Sequence, residues 1–163
     1  MKTSQSKLIA FTLLLVSFVS CDSNRVYDKY ASISDQSWHL ENKVSFPFEI
    51  QDTLQKNDLF INLRNNNDYG YSNLFLITEL NFPDGKKVVD TLEYEMTDVT
   101  GRFLGNGFSE IKENKLFYKE NVTFPKSGKY EIQIRHAMRK NGEVDGIENL
   151  LGVTEVGFRI EKN

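Results

Sequence analysis

Three side chains in this sequence are chemically reactive by type alone: one thiol, Cys21, and two imidazoles, His39 and His136. None of them has company at a useful spacing. A zinc site needs three or four Cys, His or carboxylate ligands, and no such cluster surrounds either histidine. His136 falls in phase with Tyr130, Ile132 and Ile134, which reads as a half-buried sheet residue rather than a base. His39 follows Trp38 without an acidic or histidine partner at ligand spacing. Gly107-Phe108-Ser109-Glu110 lacks the glycine-flanked serine of a nucleophile elbow. Any two of the 23 acids could meet to cleave a glycoside, but the sequence selects no pair.

Two loops offer oxygen or backbone N–H groups to an ion. Asn65-Asn66-Asn67-Asp68-Tyr69-Gly70 has the glycine in sixth place of a calcium loop. Tyr69, however, stands where the fifth ligand belongs, and Leu76 replaces the glutamate at the twelfth. The segment therefore reads as a hairpin loop of good turn formers. Gly101, Gly105 and Gly107 lack the Lys-Ser/Thr of a phosphate loop and read as bends that fold a long loop back on the domain. No catalytic constellation and no cofactor is expected, and no small-molecule substrate is implied.

Cys21 is different, because its surroundings assign it a chemistry. Lys2 and Lys7 make a positive start with no acid before Asp22, Leu8 to Val19 is apolar apart from Thr12 and Ser17, and Ser20 precedes the cysteine. A positive segment, a short apolar run and a small residue mark a secretory signal. A run of twelve is too short to span a bilayer, which takes about 20 residues. Phe18-Val19-Ser20-Cys21 resembles the bacterial lipobox, departing from it in having Phe18 where Leu is usual. That resemblance implies diacylglycerol on the thiol, removal of residues 1–20 and acylation of the new amine. An unpaired thiol is a hazard in an oxidising compartment, and lipidation removes it. Two or more chains anchor a protein stably, since each buried methylene contributes about 0.8 kcal/mol.

The exported chain would hold 143 of the 163 residues, enough for one domain. Loss of Lys2 and Lys7 leaves 18 basic against 23 acidic residues, a net charge of −5. Nucleic acid and electrostatic docking to anionic lipid both want clustered Lys/Arg, so neither is expected. With one cysteine no internal disulfide forms, and packing alone must hold the fold. Twelve Phe and seven Tyr suit cross-strand aromatic packing.

The elements that must position any site have a period of two. Residues 21–35 read as a lipidated tether that adds a short strand at Val26 to Tyr30, and 36–163 as a single domain. Val44, Phe46, Phe48 and Ile50 share one face, and Pro47 marks that strand as an edge. Leu59, Ile61 and Leu63 alternate likewise. Leu74 to Leu80 alternates too, and Phe75 and Ile77 make it apolar on both faces, hence central. Pro83-Asp84-Gly85 turns the chain into a strand carrying Val88, Leu92, Tyr94 and Met96. After a long loop over 98–110 come strands at Leu116 to Phe124, Tyr130 to Met138 and Val156 to Ile160, with one helical turn expected near Ile147, Leu150 and Leu151. Seven or eight such strands predict an all-β antiparallel β-sandwich, immunoglobulin-like or jelly-roll-like.

Tyr69 and Tyr71 in one loop, and Phe103, Leu104 and Phe108 in the other, are apolar groups where solvent is expected. They either anchor a partner or plug their own loops. A sandwich with exposed aromatics also fits a carbohydrate-binding or carbohydrate-processing lipoprotein, the alternative reading.

Several stretches then resemble one family. Leu59-Phe-Ile-Asn-Leu-Arg-Asn-Asn-Asn-Asp-Tyr69, Val89-Asp-Thr-Leu-Glu-Tyr94, Leu104-Gly-Asn-Gly-Phe-Ser109 and Gly152-Val-Thr-Glu-Val-Gly-Phe158 resemble the GldH gliding-motility lipoproteins of Bacteroidetes, as do Asn24-Arg-Val-Tyr-Asp28 and Trp38. The resemblance runs in order through nearly the whole exported chain. It implies an envelope lipoprotein required for gliding, tied to type IX secretion, with other gliding or secretion envelope proteins as partners. It implies no enzyme activity and no cofactor, and carries over only Cys21, as the lipidation site. Surface-exported lipoproteins of that phylum carry a short acidic run after the cysteine. Asp22-Ser23-Asn24-Arg25 has one acid and then a base, which favours a periplasm-facing protein, on the outer rather than the inner membrane.

Overall fold

The computed structural model describes residues 23–107 and 109–163, so Cys21, its signal and Phe108 lie outside the described residues. Ten strands follow one another: β1 (Arg25–Ser32), β2 (Ser37–His39), β3 (Val44–Ile50), β4 (Lys56–Asn65), β5 (Asn73–Asn81), β6 (Lys87–Glu95), β7 (Lys112–Thr123), β8 (Gly128–His136), β9 (Asn149–Leu151) and β10 (Val153–Lys162). All pairings are antiparallel. One sheet has the order β1-β10-β4-β7, the facing one β3-β8-β5-β6, and β2 pairs with β9 as a small third sheet. The all-β sandwich is therefore present.

The pairings also decide between the two expected topologies. β5 pairs with β6, β4 with β7, β3 with β8, β2 with β9 and β1 with β10. The chain is thus one long antiparallel ribbon, doubled back at the β5–β6 turn and rolled so that successive pairs fall on alternate sheets. The contacts β10 to β4 and β8 to β5 close the roll. Eight principal strands wound in this way make a jelly roll, not an immunoglobulin-type sandwich.

Each strand is where its alternation puts it. β3 alternates buried and exposed along its whole length, with Pro47 outward on an edge strand that needs no N–H there. At the ribbon's tip Gly85 takes φ 83° and its N–H donates to the Phe82 carbonyl at 3.0 Å. Phe48 centres the core: it stacks on Tyr130 (5.6 Å between ring centroids) and meets Phe124 and Phe158 at 5.6 Å each. Tyr27 of β1 lies 5.7 Å from the same ring. Fully burying each such side chain contributes roughly 1.5–3 kcal/mol.

Several expectations need correction. The strand expected at Val26 to Tyr30 is present but longer, Arg25–Ser32, and it is paired with β10 from Arg25↔Glu161 to Ser32↔Glu155 with Tyr27 and Ala31 packed on the core, so these residues are sheet rather than tether. The domain therefore begins at β1 and not at 36. No helical turn forms near Ile147; Leu150 is fully buried opposite Trp38 in the β2–β9 pair. The segment 66–72 is not a hairpin loop, since β4 and β5 belong to different sheets and it carries the chain across. His136 is wholly rather than half buried.

The two ends of the sandwich differ. The end where β1 begins carries the short connections 51–55, 82–86 and 124–127. The opposite end carries the long ones, 33–43, 66–72, 96–111 and 137–152. At about 3.3 Å per residue, ten-residue β10 separates the ends by roughly 33 Å.

Candidate functional site

The outer faces of the two large sheets are chemically unlike, and that contrast locates the candidate site. On the β1-β10-β4-β7 sheet the charges pair among themselves. Arg64 lies 4.3 Å above the Tyr30 ring and binds Glu113 (3.2 Å) and Glu155 (2.5 Å). Tyr30 reaches across the sheet to donate its hydroxyl to Glu113 at 2.7 Å. It can lie flat because Gly157 is beneath it, where a Cβ would come within 2.9 Å of the ring. Burial first, and then the bond to Glu113, hold the Tyr30 hydroxyl's pKa far above the usual phenol range. Further along, Arg159 binds Asp28, and Lys115 binds Glu161 while covering Phe60 at 4.0 Å. The middle of this face is satisfied from within.

The β3-β8-β5-β6 face is not. Phe75, Ile77, Thr91, Ala137 and Arg139 line an open cleft of about 380 Å³. Phe75 and Ile77 gave the sequence its signal for a central strand, and β5 is central, but on its outer side both stay partly exposed. Arg135, Arg139 and Lys43 border this region without an ion-pair partner among the described residues. A separate groove is lined by Asn73 and Glu93 of the same two strands and by the long 96–111 loop, where Val99 is fully exposed and Leu104 is 52% exposed.

That loop has a rigid base. The Asp98 carboxylate accepts the Thr100 hydroxyl (2.6 Å) and the backbone N–H groups of Thr100 (2.9 Å) and Arg102 (3.1 Å). These bonds, the Thr100 hydroxyl foremost, lower its pKa to about 2. Gly101 takes φ 83° at the turn, and the Leu104 N–H donates to the Met96 carbonyl at 2.9 Å. Val99 and Leu104 are therefore presented on an ordered loop.

The aromatic residues expected there divide. Tyr69 is 2% exposed and donates its hydroxyl to the Asn73 carbonyl at 2.7 Å. Its ring meets Tyr71 at 6.0 Å and Phe103 at 6.5 Å. Burial first, then the neighbouring Tyr71, raises its pKa well beyond the normal phenol range. Tyr69 is a plug, and Tyr71 and Phe103 are half-buried against it. Of the five candidates only Leu104 stands out into solvent among the described residues; Phe108 lies outside them. The sequence reading missed Val99, Phe75 and Arg139 as surface groups. Their signal was an apolar outward face on β5 with basic residues on the neighbouring strand.

The histidines do not form a site together. His39 is exposed, its Nε2 3.5 Å from Glu148. Neither ring nitrogen of buried His136 makes a hydrogen bond of normal geometry, and the Trp38 ring packs edge-on at 5.5 Å. Burial lowers the His136 pKa to about 4, against a smaller upward pull from the Trp38 backbone. Among the described residues no three His, Cys, Asp or Glu side chains are grouped to hold a metal ion.

The family match and two curated relatives point to one family. Residues 25–160 match the family described as GldH lipoprotein. The chain is 58% identical over 156 residues to the gliding motility lipoprotein GldH homolog of Christiangramia forsetii, covering 96% of this chain and 94% of that protein. It is 47% identical over 161 residues to the gliding motility lipoprotein GldH of Flavobacterium johnsoniae, covering 99% and 97%. Among solved structures, the infectious bursal disease virus VP2 subviral particle is similar at 15% identity and a TM-score of 0.41, over 87% of this chain and 34% of that one.

Proposed function

The chain belongs to the GldH lipoprotein family, and from that membership we propose that it is a gliding-motility lipoprotein which binds rather than catalyses. The observation that carries the proposal is near-full-length identity to two proteins of that name. In this reading lipid on Cys21 holds the jelly roll on the periplasmic side of the outer membrane. The long-loop end and the cleft beside it then face other envelope proteins of the gliding and type IX secretion apparatus. The unpaired Arg135 and Arg139 beside Phe75 and Ile77 favour a partner segment with apolar and acidic side chains. The ordered Val99–Leu104 loop extends that surface.

In-frame deletion tests the assignment, scored by colony spreading and by export of a type IX cargo. Loss of spreading restored by the intact gene is expected; normal spreading and normal export in the deletion strain refute it. Cys21→Ser should abolish fatty-acid labelling and fail to restore spreading. Labelling that persists in this variant overturns the anchor. Crosslinking in native membranes should trap an envelope protein through Leu104, and a chain recovered only as an isolated monomer counts against a binding role.

A further inference from the structure

We infer that the short-loop end of the sandwich rests on the bilayer, with Leu54 in the headgroup layer and a ring of unpaired cations on the lipid phosphates. The inference rests on the reading of Cys21 as lipidated. Cys21 stands four residues before Arg25, where β1 begins. At no more than about 3.5 Å per residue that leaves a reach of about 14 Å. The headgroup region of each leaflet is roughly 5–7 Å deep, so this end of the domain cannot stand far from it. Because β1 is paired along its length, there is no longer tether to let the domain turn over.

The surface at this end fits that placement. Lys162 N–H donates to the Asn24 carbonyl, and Asn163 N–H to the Lys56 carbonyl, which fastens the start of β1 beside the start of β4. A groove of about 340 Å³ there is lined in part by Val26, Ile50, Asp52 and Lys162. Asp52 accepts the N–H groups of Leu54 (2.8 Å) and Gln55 (3.2 Å), so the loop is held in shape with Leu54 at its crest, 87% exposed. Arg25, Lys56, Lys86, Lys129 and Lys162 are exposed around it and lack an ion-pair partner among the described residues. Exposed apolar groups also occur at the opposite end, for example Val99 and Val144, so apolarity alone does not choose. Charge does. The long connections 33–43, 66–72, 96–111 and 137–152 carry eight acids against four bases, Lys43 and Arg139 among the latter, whereas 51–55, 82–86 and 124–127 carry two of each. An anionic surface repels the long-loop end; at the other end the lipid does the holding, and the unpaired cations meet the phosphates.

The test uses the full chain, exported, purified and reconstituted in vesicles of phosphatidylethanolamine and phosphatidylglycerol. The sequence has a single cysteine, so after acylation Leu54→Cys or Val144→Cys supplies the only free thiol for an environment-sensitive dye. Both positions are exposed, so neither substitution disturbs the core. A quencher carried on the lipids should dim the dye at residue 54 several-fold more than at residue 144. Fatty-acid labelling of the same samples reports the anchor separately. Intact labelling with equal quenching at the two sites, or stronger quenching at residue 144, overturns the orientation. Absent labelling, with a second dye on a free Cys21, overturns the lipid anchor and the orientation with it.

Discussion

Replacing Gly152 with alanine tests how the long-loop end is held together. Gly152 links β9 to β10 at φ 83°, donates its N–H to the Gln36 carbonyl at 2.8 Å and accepts the Asn66 N–H at 2.9 Å. A Cβ here would lie 2.1 Å from the Tyr69 nitrogen and 2.7 Å from Tyr69 Cα. Those are backbone atoms and cannot rotate aside. The left-handed conformation costs alanine about 1–2 kcal/mol. Moving the 66–69 turn, and with it the buried Tyr69 ring, adds overpacking strain of about 1–3 kcal/mol. Gly142→Ala is the control, because Gly142 has the same φ of 83° and nothing within 4 Å of its Cβ position. At about 4 °C per kcal/mol for a domain of this size, Gly142→Ala should lower Tm by roughly 4–8 °C and Gly152→Ala by roughly 8–20 °C. Scanning calorimetry gives the shifts, and hydrogen exchange at the Asn66 and Tyr69 amides shows whether the turn opens. Equal shifts with unchanged exchange refute the claim that Gly152 is clamped against the Tyr69 backbone.

Other consequences are open to measurement. His136 is held neutral by burial, with a pKa of about 4 against 6.5 when unfolded. Above pH 6.5 neither state takes the proton; below it only the unfolded chain does. Stability should therefore fall as pH drops from about 6.5 to about 4, by on the order of 3 kcal/mol in all. His136→Phe should flatten the part of that slope above pH 5 in urea titrations, and an unchanged slope would exonerate the imidazole. Tyr30→Leu and Arg64→Met should show a coupling of about 0.5–1 kcal/mol in a double-mutant cycle, with additivity marking the stacked guanidinium as idle. Leu104→Glu should change Tm by less than about 2 °C, and Phe75→Glu, at a partly buried position, by about 4–8 °C, yet both should abolish trapping of a partner and colony spreading. Retained spreading would move the binding surface elsewhere.

Alternation made most of this fold legible. The strands around Phe46, Ile61, Leu76, Tyr94 and Ile132 announced themselves because each buries one face and wets the other. β1 was half hidden, since its Tyr27 and Ala31 are only partly buried and its remaining positions are polar. β9 was misjudged for another reason: in Asn149–Leu151 a three-residue strand shows no period at all, and only its pairing with Ser37–His39 makes it one. Pairing partners are set by long-range geometry that no local spacing records, so the jelly roll could not be separated from an immunoglobulin-like sandwich. The site was legible in part. Leu104 was found because an exposed leucine in a glycine-rich loop is conspicuous, while Tyr69 misled because burial beneath its own loop depends on the turn at Gly152.

The rolled ribbon also explains why attachment and display fall at opposite ends. In a ribbon that pairs β1 with β10 and β3 with β8, the start of β1 and the end of β10 lie side by side, and the Lys162 N–H donates to the Asn24 carbonyl. Successive connections then alternate between the two ends. Those beside the termini, 51–55, 82–86 and 124–127, are brief, and one is braced by the Asp52 carboxylate and another by the Lys126–Asp84 ion pair (2.8 Å). Length is spent at the other end, where Trp38, Tyr69 and Leu150 seal the core beneath long loops. Any extra residue inserted there lengthens a surface already turned away from the start of β1. A lipid on Cys21 would therefore fix one end of a body about 33 Å long and leave the long-loop end free for a partner, with no hinge between the two ends.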